Sequence, residues 1–328
     1  DDDSNAEYGG MGGLAKNGSF EDLNVTAKNA TTYEFTFRQI IAGGPNLISA
    51  LPTRRVDGVY VFDLEIGTPT NEEMAKLETN GEWYRKAPWS AWNPDTVSAS
   101  QKVTLPLAIT REVASTDAWF NIKEMIADKV LDIDIHLGWD YHNAYHVVHA
   151  KALYDWLKTQ GFAAPVSTFE GMTRSTGAFT RTVKANGATI SVQVRLFYGI
   201  TGGANDPDTD AGGKVLEADM RKSLAKRDVI IFSGHSGPFY GFALANWRKT
   251  SEGDLDDSEM AAVEMAKDRY QVVVAEGCDT YQIGEAFRQN PAKKDGTLVD
   301  VITTNSFSNA STPDTVKDLI RALIAIDS

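Results

Sequence analysis

The chain has one cysteine, Cys278, and five histidines, of which His235 stands apart from the others. A thiol and an imidazole are what nucleophilic catalysis by sulfur needs. The imidazole takes the thiol proton, the thiolate attacks, and the imidazolium later protonates the leaving group. The two residues occupy matching places in the sequence. The apolar run DVIIF (228–232) leads into Ser233, Gly234, His235, Ser236 and Gly237, and QVVVA (271–275) leads into Glu276, Gly277, Cys278 and Asp279. In open α/β sheets, functional groups gather beyond the carboxyl ends of strands. If these runs are neighbouring strands, imidazole and thiol meet at one sheet edge. Gly234, Gly237 and Gly277 let the backbone turn sharply and approach a substrate closely. A backbone N–H at Cys278, with one just after His235, makes an oxyanion hole. Gly234, Glu276, Gly277 and Asp279 are therefore expected to line a cleft.

Two further sets of side chains are candidate metal ligands. His136, His142, His146 and His149 lie within fourteen residues, and on a helix the last three share a face. Neutral imidazoles so spaced can hold zinc, with Asp140 or His136 as an added ligand. The other reading makes them core or cleft-lining residues, because 138–143 comes after a strand end and Trp139 and Asp140 would border the cleft. The loop 206–212 places Asp206, Asp208 and Asp210 at alternate positions, and Glu217 falls twelfth from Asp206, as in a calcium-binding EF-hand loop. Gly212 is seventh rather than sixth and Pro207 interrupts, so a plain solvated acidic loop is the alternative. No phosphate-binding glycine loop, dinucleotide fingerprint, HExxH or G-x-S-x-G elbow is present.

Hydrophobic period predicts the elements that carry these residues. LDIDIHL (131–137) predicts a strand. Residues 143–160 predict a helix, with Tyr145, His149, Ala152, Leu153 and Trp156 on one stripe and Gly161 as its stop. FTRTVKANGATISVQVRLFYG predicts a hairpin turning at Asn186-Gly187. Next in the chain come a helix at 214–225, strand 228–232, helix 257–268, strand 271–275, helix 281–289, strand 298–304 and helix 313–326. Strands alternating with helices imply a mostly parallel sheet covered on both faces. Upstream, YEFTFRQI, GVYVFDLEI and VTLPLAI predict a small β-rich domain over 29–125, with Trp83, Trp89 and Trp92 as core or binding residues. Residues 1–28, rich in Gly, Asn, Ser and acid, read as a flexible tether. The α/β domain is expected over 126–328.

The blocks IIFSGHSG and VVVAEGCDT, with His235 and Cys278 43 residues apart, resemble those of the cysteine peptidase clan CD. That clan contains caspases, legumain, clostripain, gingipains and separase. The run VDVITTN and the terminal helix are similar to the segment after the cysteine in separase- and gingipain-like domains. The stretch IDIHLGWDYHNAYHVVHAKALYDWLKTQGF is similar to their first strand and helix. The resemblance covers roughly 130–328 and implies a caspase-like fold, Cys278 as nucleophile and His235 as general acid/base. Ser236 stands where the clan usually has Gly, so Ser236 or Gly237 would supply the second oxyanion N–H. Asp279 comes directly after the cysteine, and its charge would disfavour a thiolate.

Composition sets the outer bounds. At 328 residues, two domains are expected. The formal charge of −13 argues against nucleic acid or an anionic membrane as the main partner and favours cationic substrates. No apolar run reaches the roughly 18 residues needed to cross a bilayer. One cysteine excludes an internal disulfide. The start at Asp1, the acidic tether and the sequons at Asn17, Asn24, Asn29 and Asn309 lead to the expectation of an exported protein. Together these features predict a cysteine endopeptidase acting on protein or peptide, with cleavage after a basic residue hinted by charge alone. No cofactor is required, and calcium is an option. A silent caspase-like binding module and a histidine-centred metal-binding protein are the alternatives. Oligomeric state is not legible.

Overall fold

The computed structural model describes residues 15–16, 21–30, 32–39, 41–42, 50–67, 98–110, 119–140, 144–185, 187–236, 241–278, 280–293, 296–304, 308 and 311–325. The chain divides into two compact units. The first comprises Asp1–Leu14 and Gly43–Trp119. The second comprises Ala15–Ala42 and Phe120–Ser328.

The first unit contains an antiparallel sheet of β5 (Thr53–Val56), β6 (Val59–Gly67) and β7 (Lys102–Ile109). Its register pairs Phe62 with Leu107 and Leu64 with Leu105, so apolar side chains alternate onto one face. The three tryptophans expected to matter here lie outside the described residues.

The second unit opens with short pairings that the tether reading missed. β1 (Ala15–Lys16) pairs with β4 (Ile41–Ala42), and β2 (Glu21–Ala27) pairs with β3 (Tyr33–Arg38). Its main body is a six-stranded sheet in the order β15 (Val299–Thr303), β14 (Gln271–Glu276), β11 (Val229–Ser233), β8 (Val130–Leu137), β10 (Ala188–Tyr198), β9 (Phe179–Ala185), and β12 (Phe242–Ala243) pairs separately with β13 (Asp254–Leu255). The pairs from β15 to β10 are parallel, and β9 joins as the antiparallel arm of a hairpin with Gly187 at φ +79°. The chain is thus α/β, with a mostly parallel sheet flanked by helices and a small β-rich N-terminal part.

Every residue of β11 and β14 is buried, as their unbroken apolar runs require. Successive residues serve opposite faces. Val229 and Ile231 join Leu153 and Leu157 of one long helix and Val316 and Ile320 of the last. Ile230 and Phe232 join Leu216 and Met220 of a third and Phe287 of a fourth. Among the described residues of this unit the helices are, in chain order, α1 (Ile122–Met125), α2 (Tyr145–Thr159), α3 (Asp210–Lys226), α4 (Asp257–Met260), α5 (Ile283–Arg288) and α6 (Asp314–Ile324). Each fully buried aliphatic side chain contributes on the order of 1.5–3 kcal/mol, so the two faces together hold the sheet.

Helix α2 ends as its sequence predicts. Gly161 takes φ +81°, Phe162 N–H donates to the Leu157 carbonyl and Gly161 N–H to that of Lys158. Its buried face is His146, His149, Ala150, Leu153, Tyr154 and Leu157. Tyr145, Ala152 and Trp156, expected on that stripe, sit at its flank. The helix expected at 257–268 stops after α4. An Asp256–Glu259 capping box starts it. Beyond it, Asn290 Nδ2 takes the carbonyls of Met260 and Val263, and the buried Lys293 Nζ takes those of Ala266 and Arg269. Those acceptors are then met from the side rather than by a continuing helix. No helix among the described residues is long and apolar enough to cross a membrane.

Candidate functional site

The site is built where three adjacent parallel strands stop together. Register sets Leu137 of β8, Ser233 of β11 and Glu276 of β14 level with one another. The ladder runs one residue further. Gly138 N–H donates to Ser233 O at 2.9 Å and Gly234 N–H to Glu276 O at 3.0 Å. His235 and Cys278 are then each two residues past paired positions on neighbouring strands. The glycines between are required by contact. A Cβ on Gly234 would lie 2.8 Å from Gly138 Cα, and one on Gly277 would lie 2.9 Å from Gly234 O. The same added Cβ on Gly277 would lie 3.4 Å from Ser236 N.

His235 is held from the third strand end. Its Nε2 is 3.0 Å from Asp140 Oδ1, and Asp140 is buried. The other Asp140 oxygen accepts from Tyr145 N–H at the start of α2, and Asp140 N–H donates to His146 Nδ1, both at 3.3 Å. Trp247 stands edge-on to the His235 ring and perpendicular to Trp139, with centroids 5.7 and 5.0 Å apart. The backbone around His235 is tied down. Ala243 N–H donates to His235 O, and Gly241 N–H to Ser236 O at 2.6 Å.

Cys278 is partly exposed. The turn after it is pinned by two threonines. Fully buried Thr280 donates to Ala275 O at 2.6 Å, and Thr304, just past β15, donates to Gly277 O and accepts Tyr281 N–H at its own carbonyl. Gly237 and Asp279 lie outside the described residues.

Glu276 forms part of a cavity with Asp140, His149, Ser233, His235 and Thr312. Burial pushes its carboxyl above the ordinary carboxylate range, against opposing hydrogen bonds from Ser233 and Thr315. Its Oε2 has no partner, and neither has His149 Nε2, although both atoms are buried.

The proposed metal ligands are dispersed over other tasks. Asp206 accepts Gly202 and Asp208 N–H groups, Asp208 accepts Asn246 and Lys249, Asp210 accepts Thr250 and Ser251, and Glu217 pairs with Arg221. Thr209 caps α3 by accepting Gly212 N–H at 3.1 Å, so Asp210 and Glu217 lie within the first turns of that helix. Of the histidines, His136 is wholly internal. It bonds Ser223 at 2.9 Å and stacks on Phe197. Burial lowers both His136 and His146 to about 4. His149 stacks on Tyr145, and His142 lies outside the described residues. Among the described residues no group of three or more His, Cys, Asp or Glu is placed to hold a metal ion.

The structure brings His235 and Cys278 to one sheet edge, and of the expected cleft residues Asp140, Gly234 and Glu276 line the cavity there, whereas Trp139 and Gly277 are not among its lining residues. Sequence reasoning did not see that Asp140 bonds the imidazole, nor the clamp of Thr280 and Thr304. The signal for Asp140 was its place three residues beyond a strand end, which becomes informative once β8 is known to lie beside β11. Compared with known proteins, the chain matches no family model and no curated protein sequence.

Proposed function

We propose that the chain is a cysteine peptidase with a caspase-like α/β domain, acting through His235 and Cys278. The observation that supports this reading is the register of β11 and β14, which ends the two adjoining strands level at Ser233 and Glu276, each two residues before His235 or Cys278. The Asp140 contact supports it further. With Nε2–H donating to that carboxylate, Nδ1 is the nitrogen that exchanges a proton with the thiol. Cys278 Sγ then attacks the substrate carbonyl carbon while its proton passes to Nδ1. The carbonyl oxygen takes up negative charge, met by backbone N–H groups of Cys278 and Ser236. The C–N bond breaks, the amine leaves with the proton from Nδ1, and a thioester remains. Water, deprotonated by Nδ1, cleaves the thioester and restores the thiol.

Incubation with a mixed peptide library tests this. The wild-type chain is expected to cleave it, and Cys278→Ala to lose cleavage by at least about a thousandfold, the scale seen when a covalent nucleophile is removed. Cleavage that survives Cys278→Ala would overturn the mechanism. A wild-type chain that cleaves nothing would leave the silent binding module as the better reading.

A further inference from the structure

One hydrogen bond does not fix an imidazole. The bond between His235 Nε2 and Asp140 Oδ1 holds a single ring atom. The torsion that turns a histidine ring is broad, so the ring plane can still swing about that point. The two partners also lie beyond the ends of different strands, β11 and β8. Keeping nitrogen and carboxylate in line calls for a group that touches both sides of the pair.

Trp247 is such a group. Its ring stands 5.7 Å from that of His235 at 80°, and 5.0 Å from that of Trp139 at 89°. Trp139 is buried and directly precedes Asp140 in the chain. Perpendicular ring pairs at such separations attract one another beyond the area they bury. The indole therefore braces the imidazole directly and the carboxylate through the residue before it. The backbone repeats the pattern four residues earlier. Ala243 N–H donates to His235 O at 3.2 Å, and Ala243 O accepts Trp139 N–H at 3.0 Å. Ala243 and Trp247 thus each meet both His235 and Trp139.

The segment that carries Trp247 is anchored from behind by the loop leading into α3 and the start of that helix. Asn246 N–H donates to Pro207 O at 2.8 Å, and the Asn246 side-chain amide donates to Asp208 Oδ1 at 2.6 Å. Lys249 Nζ reaches Asp208 Oδ2 at 2.6 Å. The Thr250 hydroxyl and Ser251 N–H both donate to Asp210 Oδ1, at 2.5 and 3.2 Å. Two carboxylates therefore hold residues on both sides of Trp247.

We propose that Trp247 is a positioning residue that holds the His235–Asp140 couple in line, and that Asp208 keeps Trp247 in place. The catalytic consequence rests on the peptidase reading above. With the ring plane fixed, Nδ1 keeps its aim at the thiol while Nε2 stays on the carboxylate.

Two measurements separate the inference from the reading beneath it. The first needs no thiol. In the Cys278→Ala chain, diethylpyrocarbonate modification of each histidine is followed by peptide mass spectrometry. The His235 side chain is 19% exposed, so its rate reports how freely the ring moves. Trp247→Ala should raise that rate by at least about tenfold, the scale of two ring pairs lost, and Trp247→Phe should stay near the parent. Asp208→Ala, which removes no ring, should raise it by at least about threefold, the scale of a lost hydrogen bond to a charged group. His136, buried and bonded to Ser223, should stay unreactive and so reports an intact fold. Should His136 react in Trp247→Ala, Trp247→Leu takes its place with the same expected result. An unchanged His235 rate in the tryptophan variant would overturn the brace, and an unchanged rate in Asp208→Ala would overturn the part given to Asp208. The second measurement is the pH dependence of Cys278 alkylation. Trp247→Ala should carry the midpoint toward that of His235→Ala by at least about half a pH unit, and Trp247→Phe should keep the wild-type value. A midpoint moved by His235→Ala but not by Trp247→Ala would overturn the brace and leave the dyad intact. A midpoint moved by neither, with the first result as expected, would keep the brace and discard the dyad.

Discussion

In the proposed mechanism, Asp140 decides which nitrogen of His235 serves as base. A carboxylate 3.0 Å from Nε2 stabilises the tautomer with its proton there, and stabilises the imidazolium that forms when the thiol ionises. Asp140→Asn keeps the shape and removes the charge. On the proposed mechanism it should lower kcat by at least about a hundredfold while moving KM little, as when the third group of a catalytic triad is neutralised. Because a merely structural role would not alter protonation, the pH dependence is the readout. The pH at which Cys278 becomes reactive should rise in Asp140→Asn, and an unchanged profile would show that Asp140 only fills space. The sequence placed Asp140 in the cleft but not in this task. It lies 95 residues before His235, and only the pairing of β8 with β11 brings the two together.

Among the elements, the site depends on three strands ending at one level with nothing between their tips. Gly138, Gly234 and Gly277 are stacked across the sheet, so a single methyl there forces strands apart. Gly234→Ala places a Cβ 2.8 Å from Gly138 Cα and should destabilise the fold by about 1–3 kcal/mol, the usual cost of overpacking. Urea unfolding checks this, and an unchanged midpoint would show that the strand ends are looser than this spacing implies. The strands were legible because β11 and β14 each carry a short unbroken apolar run, VIIF and VVVA, with polar residues at its ends, which is what burial on both faces demands. The helix expected at 257–268 was not legible in the same way. Its pattern is helical, but Asn290 and Lys293, some thirty residues on, take its carbonyls. Period reports local preference and cannot report a partner that distant in sequence.

Across the whole molecule, buried titratable groups act with opposite signs. His136 and His146 are held to about 4 by burial, so the unfolded chain binds more protons than the fold between about 4 and the ordinary histidine value of about 6.5. Their contribution to stability falls as pH drops through that window. Asp254 is raised to about 7, first by burial and then by Glu217, Asp256 and Glu259, and Asp228 is raised to about 6, mainly by burial. For these the folded chain binds more protons, so their contribution falls as pH rises through much of the same window. The two sets therefore oppose one another across that window. The parts are separable by mutation. Asp254→Asn should raise stability at pH 8 by a few kcal/mol, on the order of what a shift of that size represents, and the gain should fade toward pH 4. An equal gain at both pH values, or none at pH 8, would show that Asp254 does not titrate as its surroundings dictate. None of this was visible in composition, because a formal charge of −13 does not say which carboxylates are buried.

The sharpest test of the His235–Cys278 pairing is the pH dependence of alkylation at Cys278. Since the chain has a single cysteine, iodoacetamide incorporation reports that thiol alone. The wild type should alkylate with a midpoint well below the roughly 8.5 of a free thiol, and His235→Ala should return the midpoint to that value and slow the reaction near neutral pH. Identical profiles for the two proteins, both centred near that of a free thiol, would contradict the pairing.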